Sequence, residues 1–386
     1  MRRFNALALL RRQTSSGNWI PELDGLRFIA IISVVFFHIA GQIQHHNSTQ
    51  VATHYAWMAR AFMNGYRGVQ LFFMISGFIL ARPFAEHYLF GKPAPLLGRY
   101  FLRRVTRLEP PYILNLLIMA IASVLVLHET WGYILPHLLA SIAYVNYPVF
   151  HTFSVINSVA WSLEIEVQFY LLAPFIARLF MIRSAAVRRL TILALIVAAG
   201  TLQIVANISK DTIAGEIQYF LGGLLLADLF LTGTQQRANW KWDFVSLVGW
   251  FVVFLAGPAG MQLWLPFLIM LLYIAAYQGV VMRSFVRTQW IAIAGGMCYT
   301  IYLWHAPVMT FMERITAKIA ILNPTDYGLL FLTRCLIQVP VIAVVSVVLF
   351  LLIERPCMDP RWPQKLRDYF AGLLRNSAEY ESAPEA

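Results

Sequence analysis

Long apolar blocks separated by short polar loops run through almost the whole chain. Blocks of this kind are typical of helices that cross a lipid bilayer. A further apolar stretch at 133–150 contains prolines and polar residues, which favours a short re-entrant or interfacial segment. The pattern therefore predicts an all-α integral membrane protein with about ten transmembrane helices. The candidate spans lie near 26–43, 68–82, 111–127, 160–182, 190–207, 216–231, 243–257, 264–281, 290–312 and 328–353.

The composition supports this class. Of the 386 residues, 59% are hydrophobic and 13% are charged, whereas a soluble domain is about half apolar and a quarter charged. The difference excludes a disordered chain and argues against a soluble enzyme. The net charge of +11 would suggest nucleic acid in a soluble protein, but basic residues also crowd the cytoplasmic loops of membrane proteins, so we expect no nucleic-acid partner. The three cysteines show no metal-site spacing, and we expect no metal.

The basic residues also predict an orientation. Most of the 30 lysines and arginines fall on one side when the N-terminus is placed in the cytoplasm, so both termini are expected to be cytoplasmic. We divide the chain into a basic cytoplasmic segment at 1–20, a membrane domain at 21–357 and a C-terminal segment at 358–386. In the last segment, residues 361–374 have the spacing of an interfacial helix, and the acidic end is typical of a disordered tail.

The first predicted span contains ionisable residues, which are costly in a bilayer. Asp24 lies where a helix N-cap would be, so its carboxylate is expected to accept from exposed amides. Arg27 and His38 are eleven residues apart. They therefore share one helical face to within about 20°, at roughly 16 Å along the axis. Two alternatives remain open: Arg27 could extend to the membrane interface, and His38 could be a core histidine bonded to another helix.

A neutral imidazole at the end of a polar path is a competent general base, so His38 could take a proton from an attacking hydroxyl. Glu164 and Glu166 begin a later span but lie two residues apart. They point about 200° away from each other and cannot both face one site. One of them could orient His38 or contact a substrate hydroxyl, and the spacing does not decide which one.

Three polar residues recur at helical spacing in the ninth predicted span. Tyr299, Tyr302 and His305 follow one another at intervals of three residues and share a helical face. This pattern is typical of an aromatic belt at the membrane interface. It is equally compatible with a second polar lining of the cavity that contains His38.

Two arginines precede the third predicted span. Arg104 and Arg107 are three residues apart and lie just before two consecutive prolines. They are either ordinary positive charge on the cytoplasmic side or a pair that binds the phosphates of a nucleotide cofactor, because arginine binds phosphate in a bidentate manner. Glu354 ends the last span on the same predicted side, where we expect a charge-paired helix end.

Taken in order, these residues resemble the acyltransferase-3 family of inner-membrane O-acyltransferases, over about residues 20–357. Each motif is weak alone, and the set is specific. One departure is Cys298, where the family more often has serine. The motifs are Leu23-Asp24-Gly25-Leu26-Arg27 followed by His38, Gly-Val-x-Leu-Phe-Phe-x-x-Ser-Gly-Phe at 68–78, Arg104-x-x-Arg107, Trp161-Ser162-Leu163-x-x-Glu166, Tyr299-x-x-Tyr302-Leu-x-His305 and Glu354-Arg-Pro.

The resemblance implies transfer of an acyl group, usually acetyl, from cytoplasmic acyl-CoA to a hydroxyl of an extracytoplasmic glycan, glycolipid or glycosylated small molecule at the bacterial inner membrane. It implies that His38 is the catalytic base, that Arg27 belongs to an essential polar path and that Glu166 faces the site. Arg104 and Arg107 would contact the acyl-CoA donor. We expect the acceptor to be bound by Trp161, Tyr299, Tyr302 and His305.

Two other functions remain open. Intramembrane His, Arg and Glu also mark proton relays, so the chain could be a proton-coupled transporter or flippase of a glycolipid or small solute. The internal repeats and broken spans of transporters are weak in this sequence. The chain could instead be a non-catalytic subunit that binds a glycolipid for another enzyme. Donor-dependent acylation without net solute uptake would distinguish an acyltransferase from a transporter.

Overall fold

The regular structure of the protein is helical. The computed structural model describes residues 10–12, 19–46, 56–233, 238–316, 318–319, 326–359, 361–365 and 367–368. No strand occurs within these ranges, which confirms the all-α expectation. The α-helices of five or more residues in the described part of the chain are α1 (Pro21–His46), α2 (Ala56–Met63), α3 (Gly68–Phe90), α4 (Leu97–Val126), α5 (Trp131–Ile142), α6 (Asn146–Phe150), α7 (Trp161–Ile176), α8 (Ala185–Val205), α9 (Ile213–Thr232), α10 (Trp240–Leu255), α11 (Met261–Gln278), α12 (Val281–Arg287), α13 (Gln289–Gly296), α14 (Cys298–Thr316) and α15 (Tyr327–Leu349).

Eight helical segments in the described part of the chain are long and apolar enough to cross a membrane. The chain is therefore a multi-pass membrane protein. The count of about ten spans and the orientation of the termini stay predictions. The stretch predicted to be re-entrant or interfacial forms α5 and α6, of 12 and 5 residues, which are too short to span. The eight segments are Pro21–His45, Ala56–Phe90, Leu97–Val126, Ser158–Met181, Ala185–Val205, Ile213–Thr232, Met261–Gln278 and Tyr327–Cys357.

The predicted span at 290–312 is not one helix. It is divided at Met297 into α13 and α14. The division follows Gly295, where a Cβ atom would lie 1.6 Å from the carbonyl oxygen of Asp24. Only glycine lets α13 cross the first turn of α1 this closely. The expectation of a continuous helix was wrong because a periodicity of apolar residues does not report where two backbones touch.

The centre of the bundle is the contact between α3 and α9. A Cβ on Gly77 would lie 2.4 Å from the carbonyl oxygen of Phe220, so the two backbones touch there. Close approach through small residues is typical of helix pairs in membranes. Outward faces carry large apolar side chains that are exposed, such as Leu247 at 72% and Leu336 at 67%. This is the distribution expected of a bundle surrounded by lipid.

α4 runs without a break through Pro110 and Pro111. A proline has no N–H for the carbonyl four residues earlier, so Pro110 leaves the Thr106 carbonyl without its helical partner. The indole Nε1 of Trp362 donates to that oxygen at 2.8 Å. The C-terminal segment is thereby attached to α4. The end of the predicted interfacial helix and the predicted tail, residues 369–386, lie outside the described residues.

Candidate active site

The structure brings together two histidines that are distant in sequence. His38 of α1 and His305 of α14 lie with Nδ1 of the first 3.3 Å from Nε2 of the second, and their ring centroids are 4.9 Å apart. His305 is fully buried, whereas His38 retains some exposure. The His38 ring is therefore the member of the pair that a substrate could reach.

Hydrogen bonds fix the tautomers of the two neutral rings. Nδ1 of His305 lies 2.7 Å from the carbonyl oxygen of Tyr302, an acceptor, so Nδ1 carries the proton and Nε2 accepts. Nδ1 of His38 faces two acceptors, the carbonyl oxygen of Val34 at 2.9 Å and Nε2 of His305. It must also carry a proton. Nε2 of His38 consequently holds a lone pair, which is what a general base requires.

Tyr302 supports this pair. Its hydroxyl donates to the carbonyl oxygen of Val159 at 2.6 Å and accepts from Oγ of Ser162 at 2.6 Å. The Tyr302 hydroxyl therefore has no proton left to donate to a substrate atom, which argues against the predicted contact with the acceptor substrate. Its backbone carbonyl is the one that orients His305.

The other end of the same face of α1 carries a charge cluster. Asp24 pairs with Arg27 and Arg12 and accepts from the indole Nε1 of Trp19 at 2.8 Å. The expectation that Asp24 caps the helix was wrong, because side chains rather than backbone amides occupy its carboxylate. Nor does Arg27 extend to the interface, since its side chain is only 11% exposed and is held by Asp24.

A second ion pair adjoins this cluster. Arg107 lies 3.6 Å from Glu354, which also accepts from the backbone N and the hydroxyl of Thr300. Burial, followed by repulsion from Arg107 and Arg27, lowers the pKa of Arg12 to about 9. Among the buried side-chain atoms that lack a hydrogen-bond partner in the described part of the chain are three from these residues: Nε of Arg12, Nε of Arg107 and Oε1 of Glu354. These five residues contain three guanidinium groups and two carboxylates. We name them the arginine cluster: Arg12, Asp24, Arg27, Arg107 and Glu354.

Arg104 shares a helical face with Arg107 but has different partners. Its guanidinium lies 3.8 Å from the centroid of the Tyr100 ring and 5.3 Å from that of Tyr170, and it donates to the Tyr100 carbonyl at 2.8 Å. The aromatic rings hold the cation without neutralising it. The two arginines therefore do not form a bidentate pair by themselves.

The two glutamates of α7 face different neighbours, as their spacing predicts. Glu166 accepts from the hydroxyls of Ser76 and Tyr170, both at 2.6 Å. Glu164 accepts from the backbone N of Tyr147 at 3.0 Å. Neither has a hydrogen bond to His38 in the described structure. His305, rather than a glutamate, contacts Nδ1 of His38. Glu166 is hydrogen-bonded to Tyr170, whose ring lies 5.3 Å from the Arg104 guanidinium.

The two other residues predicted to bind the acceptor substrate, Trp161 and Tyr299, do not lie together. Trp161 packs against Phe73 and Phe153, with ring centroids 6.4 and 6.1 Å away. The hydroxyl of Tyr299 donates to the carbonyl oxygen of Leu108 at 2.7 Å, immediately after Arg107 in the chain. Tyr299 therefore lies next to the arginine cluster. Trp161 is the first residue of α7, and the next residue, Ser162, contacts Tyr302.

Sequence reasoning missed several residues that complete the two ends. Arg12 and Trp19 precede the first helix, yet both contact Asp24. Asn115 and Asn157 are buried next to α14 and donate to its backbone. The sequence carries one related signal, since a proline within α14 implies a carbonyl that needs other donors, although it does not indicate which residues supply them. Among the described residues, no group of three or more His, Cys, Asp or Glu could hold a metal ion.

Comparison with known proteins decides the family. Residues 20–355 match the acyltransferase-3 family, as an acyltransferase domain. The chain belongs to this family. The match covers most of the sequence and confirms the resemblance drawn from the motifs. No solved structure matches this acyltransferase-3 chain.

The similar proteins include O-acetyltransferases of two bacteria. O-acetyltransferase OatA of Staphylococcus aureus is 24% identical over 332 residues, which cover 77% of this chain and 52% of that protein. Peptidoglycan O-acetyltransferase OatA of Listeria monocytogenes is 24% identical over 386 residues, which cover 88% of this chain and 56% of that protein. This acyltransferase-3 chain thus spans about half the length of the curated relatives it matches.

Proposed function

We propose that the chain is an O-acyltransferase of the bacterial inner membrane. It moves an acyl group, acetyl first of all, from cytoplasmic acyl-CoA to a hydroxyl of an extracytoplasmic glycan or glycolipid. In this proposal about ten helices span the bilayer and both termini are cytoplasmic. Family membership and the names of the two relatives support the reaction type. The observation that carries the proposal is the pairing, on one face of α1, of a histidine with an unprotonated Nε2 and a cluster rich in arginine.

The arginine cluster suits the donor. CoA carries several phosphates, and guanidinium groups bind phosphate through charge-assisted hydrogen bonds. Nε of Arg12 and Nε of Arg107 are buried donors without partners in the described structure, and three cations share two carboxylates. A bound anion would relieve the repulsion that lowers the pKa of Arg12. The pantetheine arm would then extend along α1, since Arg27 and His38 lie roughly 16 Å apart along the helix.

His38 performs the proton transfer in this scheme. Nε2 of His38 takes the proton of the acceptor hydroxyl while the oxygen attacks the thioester carbonyl carbon. The tetrahedral intermediate collapses, the carbon–sulfur bond breaks, and the CoA thiolate leaves. The proton held by His38 then neutralises the thiolate. His305 keeps the reacting nitrogen in the unprotonated tautomer throughout the approach of the acceptor.

The test measures acyl transfer by the purified chain in detergent. Free thiol release from acetyl-CoA and acetylation of peptidoglycan fragments are followed together, and uptake into proteoliposomes is followed separately. We expect donor-dependent acetylation that is lost in His38→Ala and weakened in Arg107→Ala. Arg103→Ala is the matched control, because Arg103 is exposed on the same helix. Acetylation at the normal rate by His38→Ala would overturn the mechanism, and solute uptake without donor consumption would favour a transporter.

A further inference from the structure

A proline inside α14 leaves one backbone carbonyl in need of donors. Pro307 lies inside this helix and has no N–H, so the carbonyl of Leu303, four residues earlier, lacks its helical partner. Leu303 is fully buried. A buried carbonyl without a hydrogen bond is costly, most of all inside a membrane where water cannot replace the missing donor.

Two asparagine side chains satisfy this carbonyl. Nδ2 of Asn115, from α4, donates to the Leu303 oxygen at 3.2 Å, and Nδ2 of Asn157, from the segment before α7, donates at 3.1 Å. Asn157 also donates to Oδ1 of Asn115 at 2.8 Å. Both side chains are buried, and the two lone pairs of a carbonyl oxygen match the two donors. The Leu303 carbonyl is therefore bound from two different elements.

A chain of further hydrogen bonds connects Asn157 to the histidine pair. Oδ1 of Asn157 accepts from the backbone N of Val159 at 3.4 Å, and the Val159 carbonyl accepts from the Tyr302 hydroxyl at 2.6 Å. The Tyr302 carbonyl then orients His305, which contacts His38. Neither asparagine is hydrogen-bonded to a histidine in the described structure. Any effect they have on the reaction must therefore pass through the backbone of α14.

We propose that Asn115 and Asn157 are positioning residues. By binding the carbonyl that Pro307 leaves unpaired, they fix the position of the α14 backbone next to this proline and hold His305 against His38. The inference rests on the proposed function for its kinetic consequence. Its geometric part, that the asparagines keep the two rings in contact, is testable without turnover.

The first experiment removes one donor. Asn115→Leu keeps the approximate volume of the side chain and deletes the amide. We expect kcat for acyl transfer to fall at least about tenfold with little change in KM for the donor, because a small displacement of His305 misplaces the base. In parallel, modification of His38 by diethyl pyrocarbonate is followed by mass spectrometry. We expect it to become faster, since the His38 ring loses its contact with His305 and keeps only the Val34 carbonyl as a partner at Nδ1.

The second experiment distinguishes positioning from a general loss of structure. Pro307→Ala supplies the missing N–H to the Leu303 carbonyl, so Asn115→Leu should cost less kcat, and alter His38 modification less, in that background. Pro340→Ala is the matched control, because this exposed proline lies inside α15, away from the carbonyl. It should give no rescue.

Equal losses from Asn115→Leu with and without Pro307→Ala would overturn the proposal, as would unchanged His38 modification. Thermal unfolding in detergent checks that each variant folds. If Asn115→Leu does not fold, Asn115→Ser, which keeps a donor hydroxyl, takes its place with a smaller expected effect in the same direction. If no protein transfers acyl groups, including the unaltered chain, the proposed function fails, while the rates of His38 modification still decide the positioning.

Discussion

The two ends of the polar face of α1 are built in different ways. At the His38 end, Nδ1 of each ring has an acceptor, and the supporting Tyr302 hydroxyl is both donor and acceptor. At the Arg27 end, Arg12 and Arg107 form ion pairs at 3.5 and 3.6 Å, close to the limit for such contacts. Buried nitrogen and oxygen atoms of the arginine cluster also lack hydrogen-bond partners in the described part of the chain.

This difference separates chemistry from binding. Proton transfer needs a base of fixed tautomer and direction, and a network of satisfied hydrogen bonds supplies both. A site that binds a flexible phosphate group instead needs hydrogen-bond donors without partners and excess positive charge. The bound phosphate accepts from these donors and neutralises this charge. We therefore expect substitutions at the His38 end to lower kcat, and substitutions at the Arg27 end to change donor binding or the stability of the free protein.

The largest effect is expected from removing the base. His38→Ala should lower kcat for acyl transfer by about a thousandfold, because general-base catalysis contributes on the order of 10² to 10⁴. Donor affinity should be nearly unchanged, as measured by isothermal titration with CoA. His151→Asn is the control, since His151 is exposed and has a left-handed backbone that asparagine tolerates. A normal kcat in His38→Ala would contradict the assignment of His38 as the catalytic base.

Removing the anion at the opposite end should act on stability. Asp24→Asn leaves the largely buried Arg27 without its counter-charge, and breaking a buried ion pair typically costs about 3 kcal/mol or more. We expect a clearly lower midpoint of thermal unfolding in detergent, with partial recovery when CoA is added. Asp359→Asn serves as the control, because its ion pairs involve exposed side chains. An unchanged midpoint would mean that the arginine cluster is already neutralised without a ligand.

A single arginine should report on donor binding. Arg107→Ala is expected to raise the dissociation constant of acetyl-CoA about tenfold, the value of one hydrogen bond to a charged group. The loss should shrink only slightly as salt is added, because the Arg107 side chain is 27% exposed and partly buried charges are screened less than exposed ones. Arg103→Ala should change neither quantity. If Arg107→Ala lowers kcat and leaves the dissociation constant unaltered, the arginine end takes part in the chemistry and the separation of roles breaks down.

The sequence predicts the two ends of this polar face to different extents. The helical spacing of Arg27 and His38 correctly placed both on one face of a helix that the structure contains. The approach of His305 to His38 could not be predicted, because 267 residues separate them and only packing joins their helices. The break at Met297 likewise depends on contact between Gly295 and another helix.

The arginine end was the harder one. Arg12 looked like ordinary basic sequence ahead of the first span, and nothing local indicates that it folds back onto Asp24. The proline in α14 does predict a carbonyl without a partner, but not which donors satisfy it. Periodicity therefore finds the faces of helices, whereas the partners across those faces depend on how the helices pack.

The smallest effect tests whether Tyr302 supports the histidines or contacts the acceptor. Tyr302→Phe removes one hydroxyl that bonds to Val159 and Ser162, and hydrogen bonds between membrane helices are worth about 0.6 kcal/mol each. We expect a small drop in the unfolding midpoint and a kcat lowered only a few-fold, with KM for the acceptor unchanged. Tyr133→Phe, at an exposed tyrosine, should alter neither. A raised acceptor KM with normal kcat would return Tyr302 to the substrate-binding role that its spacing suggested, and the His38 end would then both bind the acceptor and activate it.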